Sequence, residues 1–299
     1  MSKRKSTFKS SPLVTLLAVV ALLALLISGG KLKGIFPSSQ NPDFTSSDAV
    51  HFIDVGQGLS VLLQSGEHGI LIDAGEREYG TRVADYIEKA GVTTLDYVIA
   101  SHPHSDHIGG IPDVLSRIKT KNVIMPKLSD SLTPTTKCYE RLLTSVADSK
   151  AKAIRAKAGS VYTVGSITLT VLAPVTQIND LNNMSVVCRA EIKNSSFMLL
   201  ADAEKKELET VLLKGAVLDS DVLQMGHHGS STSIYNSFLS AVDPDDAVIS
   251  CGKNNSYGHP HKEALTYLQQ NSIACYRTDT DGTVVFYCGD DGYCVRKEL

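Results

Sequence analysis

The stretch "SHPHSDHIGG", residues 101–110, sets three histidines and an aspartate within six consecutive positions of a chain that has nine histidines in all. An ordinary core cannot absorb four such groups from one loop, because each buried polar group left unpaired costs roughly 2–7 kcal/mol. The stretch follows an apolar, strand-like run, "DYVIAS" at 96–101, and Pro103 biases His102 toward an extended backbone. Residues i and i+2 of an extended chain share a face. His102 and His104 therefore point together; protonated they repel, but neutral they chelate one cation. Asp106 and His107 come after the chain turns and offer a carboxylate and an imidazole to an adjacent position. Gly109 and Gly110 then let the backbone pass close to its neighbours. The loop reads as a site for two divalent metal ions, and mixed N and O ligands suit Zn2+ or Mn2+.

The N-terminus carries a different signal. Lys3, Arg4, Lys5 and Lys9 precede an apolar run from Leu13 to Ile27, and Lys31 and Lys33 follow it. That pattern predicts export, with residues 1–33 acting as a signal peptide or as an uncleaved membrane anchor. Small residues at Ser28 and Gly30 suit cleavage; the lack of a polar stretch before Lys31 suits an anchor. Residues 34–48, "GIFPSSQNPDFTSSD", are rich in Pro, Ser and Asn without periodicity and read as a flexible linker. The folded domain then spans 49–299, extracellular and either anchored or secreted. Without the six Lys and Arg of residues 1–33, the formal charge falls from −3 to −9. Such a domain does not draw in polyanions through its overall field, so a nucleic-acid partner has to be held locally, by metal or by a patch. Only one apolar segment exceeds ten residues, too few for a transmembrane conduit.

Within the domain, short β-branched runs at 50–54, 60–64 and 69–73 predict hairpins. A helical pattern at 80–90, a strand at 96–101 and a helix at 110–118 follow, after which strand and helix alternate. A second set repeats the order, with runs at 161–173, 185–192 and 196–201, a helix near 204–213 and a strand at 220–225; a hairpin at 283–297 ends the chain. Hairpins followed by strand and helix units, twice over, predict an α/β fold, a four-layer αββα sandwich of two mixed sheets with helices outside. Six cysteines in an exported chain permit disulfides. "FYCGDDGYC" places Cys288 and Cys294 on either side of a turn and predicts a bridge across that hairpin. Cys251 with Cys275 is a second candidate pair.

HxHxDHxGG resembles the second motif of the metallo-β-lactamase superfamily. "HFIDVGQGLSVLL" at 51–63, "ILIDAG" at 70–75, "LLADAE" at 199–204, "LQMGHHGSSTS" at 223–233 and "NNSYGHP" at 254–260 are similar, in that order, to the hydrolase domain of ComEC-type DNA-uptake proteins. The resemblance implies an αββα fold with a dinuclear site at the strand ends. It implies that Asp73 orients the motif loop, that His102 and His104 hold the first metal, and that Asp106 and His107 hold the second. Asp202 matches the bridging carboxylate, although it also stands where a helix N-cap would. His227 is expected as the last ligand, with His228 as its alternate. The chain departs from the family pattern between His107 and Asp202, where it has no histidine. The matching stretch "LNNMSVV" offers Asn182, Asn183 and Ser185, which predicts a looser first site. Leu59 stands where many relatives carry an acidic residue, while Asp54 and Gln57 are expected to hydrogen-bond near the site.

A bridged pair of cations would generate hydroxide near neutral pH and stabilise an anionic transition state. Asp106 and His259 are the expected catalytic residues, His259 protonating a leaving oxygen or contacting a phosphate. Ser230, Ser231 and Lys253 are expected to bind phosphate. The resemblance implies a phosphodiesterase or nuclease acting on extracellular DNA. The same chemistry attacks carbonyl carbon, which leaves a β-lactamase or thioesterase open. A surface-tethered DNA- or partner-binding module that keeps its metal as structural support is the third reading. The densest basic stretch, Lys150, Lys152, Arg155 and Lys157, reads as a solvated strand face as readily as a DNA contact.

Overall fold

The structure is a computed structural model that describes residues 47–298. The expected signal or anchor and all but the last two residues of the expected linker lie outside the described residues. The first sheet contains β1 (Asp48–Phe52), β2 (Val61–Ser65), β3 (His68–Ile72), β4 (Thr94–Ile99), β5 (Lys119–Met125) and β6 (Lys152–Arg155), with β14 (Thr283–Gly289) and β15 (Gly292–Glu298) added beside β1. The second runs in the order β13-β12-β11-β10-β9-β8-β7, formed by β7 (Val161–Val164), β8 (Ile167–Val171), β9 (Cys188–Ile192), β10 (Ser195–Leu199), β11 (Val222–Gln224), β12 (Asp246–Ile249) and β13 (Ala274–Arg277). Asp48, read as the end of the linker, is the first residue of β1.

Period-2 alternation along these strands sorts apolar side chains onto opposite faces. Ile70, Ile72, Phe197 and Leu199 meet in one core between the sheets. Their neighbours point the other way: Leu71 packs outward with Val83, Ile87 and Leu142, and Met198 packs outward with Leu208, Val211 and Phe238. Three cores separate four layers. The outer layers are α1 (Gly80–Lys89), α2 (Ser105–Ile108), α3 (Ile111–Arg117) and α4 (Lys137–Asp148) on the first sheet, and α5 (Lys205–Leu213), α6 (Asn236–Val242) and α7 (Lys262–Gln270) on the second. In α1, Val83, Ala84 and Ile87 form the buried stripe expected of a surface helix. Phe197 is fully buried at the centre, and its truncation to alanine would cost roughly 3–5 kcal/mol.

Each sheet is antiparallel on one side and parallel on the other. β3 to β6 are parallel in the first sheet, and β10 to β13 are parallel in the second. Open α/β sheets collect their sites outside the carboxyl ends of parallel strands, and the histidine loop leaves β4 at such an end.

The expected Cys288–Cys294 bridge is a correction. The hairpin is present, but its register sets Cys288 opposite Tyr293 and Cys294 opposite Tyr287. A one-residue offset turns side chains to opposite faces: Cys288 is buried between the sheets, whereas Cys294 is only half-buried. Cys251 and Cys275 carry free thiols, the first buried and the second exposed.

Candidate metal centre

Four strand ends converge on the site, and the backbone is bent sharply at three of them. Asp73, Ala201, His227 and His228 all have left-handed backbone, with φ of 59°, 48°, 49° and 55°. Such non-glycine conformations cost on the order of 1–3 kcal/mol and persist only where the surroundings impose them. The loops are tied together by backbone bonds from Ala74 N to the His107 carbonyl (2.8 Å), from Gly110 N to the Gly75 carbonyl (2.9 Å) and from His227 N to the Ala201 carbonyl (2.9 Å). A Cβ on Gly110 would stand 2.2 Å from the Ala74 carbonyl oxygen, so the second glycine of the motif is required by close approach.

The ligand atoms fall into two groups, His102 with His104 and Asp202, and Asp106 with His107 and His228. Asp202 is buried and faces both. Its Oδ1 lies 3.1 Å from Nε2 of His107 and 3.6 Å from Nε2 of His228, while its Oδ2 lies 3.7 Å from Nε2 of His102. The imidazoles are pinned from behind. Asp73 Oδ2 accepts from Nδ1 of His107 at 2.7 Å, and the Ser250 carbonyl accepts from Nδ1 of His228 at 2.9 Å. Ser101 donates its hydroxyl to Asp73 at 2.5 Å and lies 3.1 Å from Nδ1 of His102.

These bonds test whether the residues fit a metal. With both Nδ1 protons committed, Nε2 of His107 and Nε2 of His228 face each other at 3.3 Å, and each also lies 3.1 Å from a carboxylate oxygen, Asp202 Oδ1 and Asp106 Oδ2 respectively. Two nitrogens and two carboxylate oxygens turned toward one point need a positive charge among them, which a proton or a metal ion can supply. The buried donor set of imidazole and carboxylate fits divalent cations of the Zn2+ or Mn2+ kind. Charge shows the same need for a cation: burial opposes it, but Asp202, Asp73 and Asp106 raise the His107 pKa well above that of an ordinary histidine, so a proton occupies the place a metal would take. Burial and the neighbouring His107 hold the His102 pKa well below that of an ordinary histidine. For Asp202 burial opposes ionisation, but His107 and His228 outweigh it and keep the carboxyl well below the usual range.

His228, the alternate, joins the second group. His227 lies beside it with 23 % of its side chain exposed; its Nδ1 is 3.2 Å from Glu204 Oε1 and its Nε2 is 3.7 Å from Asp202 Oδ2. A hydrogen bond from His227 lowers the Glu204 pKa to about 2. His259 lines the site cavity of about 310 Å³, together with Gln57, Asn182, His227 and Tyr257. Gln57 Oε1 accepts from Gly252 N at 3.0 Å, which leaves its amide nitrogen to donate to Nδ1 of His259 at 3.3 Å. The proton of neutral His259 therefore sits on Nε2. Burial, then His228 and His227, lower its pKa to about 4.

Other expected residues are placed elsewhere. Asp54 accepts from the Gly56 amide at 3.0 Å and from Arg82 at 3.2 Å, so it shapes its own loop. Ser230 caps the next turn through Thr232 N at 3.3 Å, Ser231 bonds His261 through its amide at 3.0 Å, and Lys253 is exposed; none of the three lines the cavity. Sequence reasoning missed Ser101, Glu204, Ser250 and Tyr257. Three of them stand inside quoted motifs: Ser101 is the first residue of "SHPHSDH", Glu204 the last of "LLADAE" and Tyr257 the tyrosine of "NNSYGHP". Asn182 lines the cavity with a buried Oδ1 that has no hydrogen-bond partner among the described residues.

The chain belongs to the metallo-beta-lactamase superfamily, whose sequence model matches residues 53–253. Within it, the chain is 30% identical to ComE operon protein 3 of Bacillus subtilis (strain 168) over 89% of its own length and 36% of that protein's. It is also 30% identical to competence protein ComA of Neisseria gonorrhoeae, over 94% of its own length and 39% of that protein's. It thus spans less than two fifths of either relative. Igni18, a metallo hydrolase from the archaeon Ignicoccus hospitalis, shares the fold with a TM-score of 0.53 at 15% identity, over 80% of this chain and 98% of its own. Among the described residues no helix is long and apolar enough to cross a membrane.

Proposed function

We propose that this chain is an exported, metal-dependent phosphodiesterase that cleaves DNA outside the cell, with residues 1–33 as signal or anchor. The observation that carries the hydrolytic part is Asp202, which turns one carboxylate oxygen toward each ligand group. His102, His104 and Asp202 would hold one cation; Asp106, His107, His228 and Asp202 would hold the other. When bound, two such cations supply a water nucleophile active near neutral pH and offset the charge of a phosphoryl group under attack.

The chain's own residues do the positioning. Asp73 and the Ser250 carbonyl hold the rings of His107 and His228 so that both Nε2 atoms face the centre. His259, neutral because burial, His228 and His227 hold its pKa to about 4, carries its proton on Nε2 and can donate a hydrogen bond to a phosphate oxygen but would not protonate a leaving group. Glu204 keeps His227 turned into the same cavity. Walls of histidine, amide and carboxylate around an open cavity suit a charged, flexible substrate better than a compact apolar one. A relative named as a competence protein supports DNA as that substrate.

The test is to assay the full chain, with added Mn2+ or Zn2+, side by side on linear DNA, bis-p-nitrophenyl phosphate, nitrocefin and a thioester. Metal-dependent cleavage of the first two is expected. Rapid lactam or thioester opening without DNA cleavage under any metal would reject the reading. Retained DNA affinity without turnover, in wild type and Asp202→Ala alike, would point to a binding module.

A further inference from the structure

At the ends of β6 and β8, away from the ligand loops, lies a groove of about 680 Å³ lined by Arg155, Lys157 and Lys214 over an apolar floor that includes Val171, Leu172 and Val175. No carboxylate lines it. Lys152, Arg155, Lys157 and Lys214 are exposed and, like most cations among the described residues, have no ion-pair partner, so no carboxylate neutralises them. In residues 34–299, whose formal charge is −9 once the six cations of residues 1–33 are removed from a total of −3, a groove rimmed only by cations is a local reversal of sign.

Register locates the groove on the same end of the sandwich as the metal centre. In the first sheet Ile99 pairs with Ile124 and Ile124 with Ile154, so Arg155 stands two parallel strands from the strand that carries the histidine loop. In the second, Leu199 pairs with Cys188 and Cys188 with Val171, so the groove floor stands two strands from the strand that ends at Asp202. Adjacent strands are about 4.8 Å apart, which puts the groove about 10 Å to one side of the ligands in both sheets. One loop joins the two places: Val175 lines the groove and Asn182, seven positions on, lines the site cavity. Lysines on an edge strand such as β6 also guard it against pairing with another chain. That role does not account for Lys214, which follows α5 on the outside of the other sheet.

We infer that this groove holds the backbone of a nucleic-acid strand on one side of the phosphate being cleaved. The inference rests on the proposed DNA-cleaving function and names the surface that would hold the strand beside the phosphate under attack. The duplex rise of about 3.4 Å per phosphate on each strand is a lower limit for a single strand, so 10 Å corresponds to at most about three nucleotides. Arg155, Lys157 and Lys214 would contact phosphates there and fix the strand's register without reading its sequence.

The test uses the full chain with Arg155→Gln, Lys157→Gln and Lys214→Gln combined, and the charge-reversed triple with Glu as a second variant. Binding of a fluorescent 12-nucleotide single strand is measured by anisotropy from about 50 to 200 mM salt, and turnover is measured on the same oligonucleotide and on bis-p-nitrophenyl phosphate, which is too short to reach the groove. The expected result is at least about a tenfold rise in oligonucleotide Kd and KM, and a log–log salt slope smaller by about 2, at roughly 0.7 per lost phosphate contact. Turnover of the small diester should stay within twofold, and the melting temperature of the exposed-residue variants should match wild type. Unchanged oligonucleotide affinity and slope in both variants would overturn the groove assignment and leave a protein partner as its occupant. If wild type cleaves no diester at all, the proposed function fails, and the binding slope still decides the groove.

Discussion

The first sheet supplies four candidate ligands from the single loop after β4, whereas the second supplies Asp202 and His228 from two separate strand ends, after β10 and β11. The halves are held by different means. In the first, Asp73 accepts from Ser101 N (2.8 Å), Ser101 Oγ (2.5 Å) and His107 Nδ1 (2.7 Å), so one carboxylate sets both the backbone and an imidazole. In the second, the buried amide of Gln224 accepts from Leu200 N and Ala201 N, both at 2.8 Å, and so fixes the peptide leading into Asp202. A charge orients a charged loop; a neutral amide shapes a backbone. The contrast teaches that the first half of the centre is encoded within six residues, while the second exists only once β10 and β11 are paired.

The largest expected effect comes from the residue that belongs to both groups. Asp202→Ala should reduce bound metal from two ions to at most one, measured by elemental analysis. It should lower kcat by about three orders of magnitude, equivalent to about 4 kcal/mol of transition-state stabilisation. Two tightly held metals in this variant would show that the halves assemble without a shared carboxylate.

A pair of adjacent substitutions sharpens the second half. His228→Ala should empty the second group and lower turnover by about 100-fold, because its Nε2 lies 3.1 Å from Asp106 and its Nδ1 is fixed by a carbonyl. His227→Ala should keep full metal content and lose less than about tenfold in rate. The reverse order would restore the assignment that strand-end placement favours. Strand-end placement ranks His227 first but does not tell where either ring points, since both positions have left-handed backbone and the chain reverses within them. Apolar runs are a better guide where a strand is buried on both faces: those at 50–54, 69–73 and 196–201 correspond to β1, β3 and β10 within one or two residues. β6 was not delimited, because Lys152, Ala153 and Arg155 are exposed at the sheet edge and leave no apolar alternation to read. The hairpin at the C-terminus was legible, but its register was not. Two residues between Gly289 and Gly292 set Cys288 and Cys294 one position out of step.

The supports of the two halves should fail differently. Asp73→Asn keeps the size of the side chain but removes the charge that binds the His107 N–H. It should weaken metal affinity by about 10- to 100-fold with little change in melting temperature in the presence of saturating metal. Gln224→Ala leaves two buried amide N–H groups without acceptors at roughly 1–3 kcal/mol each. It should lower the melting temperature by several degrees even with metal present, with a smaller loss of affinity. Equal affinity losses at equal stability would mean that the two halves are supported alike.

The smallest expected effect tests a position that the sequence placed in the substrate site and the structure places outside it. Lys253 is exposed on the loop after β12 and does not line the cavity, although its neighbour Gly252 donates to Gln57. An exposed lysine at such a position gains little from a phosphate held on the far side of Gln57, and surface substitutions away from special contacts shift stability by no more than about 0.5 kcal/mol. Lys253→Ala should leave kcat/KM for bis-p-nitrophenyl phosphate within twofold and its salt dependence unaltered. A tenfold loss would show instead that the loop carrying Lys253 and Tyr257 closes over bound substrate, adding a third, mobile contribution to a centre that the two sheets otherwise build between them.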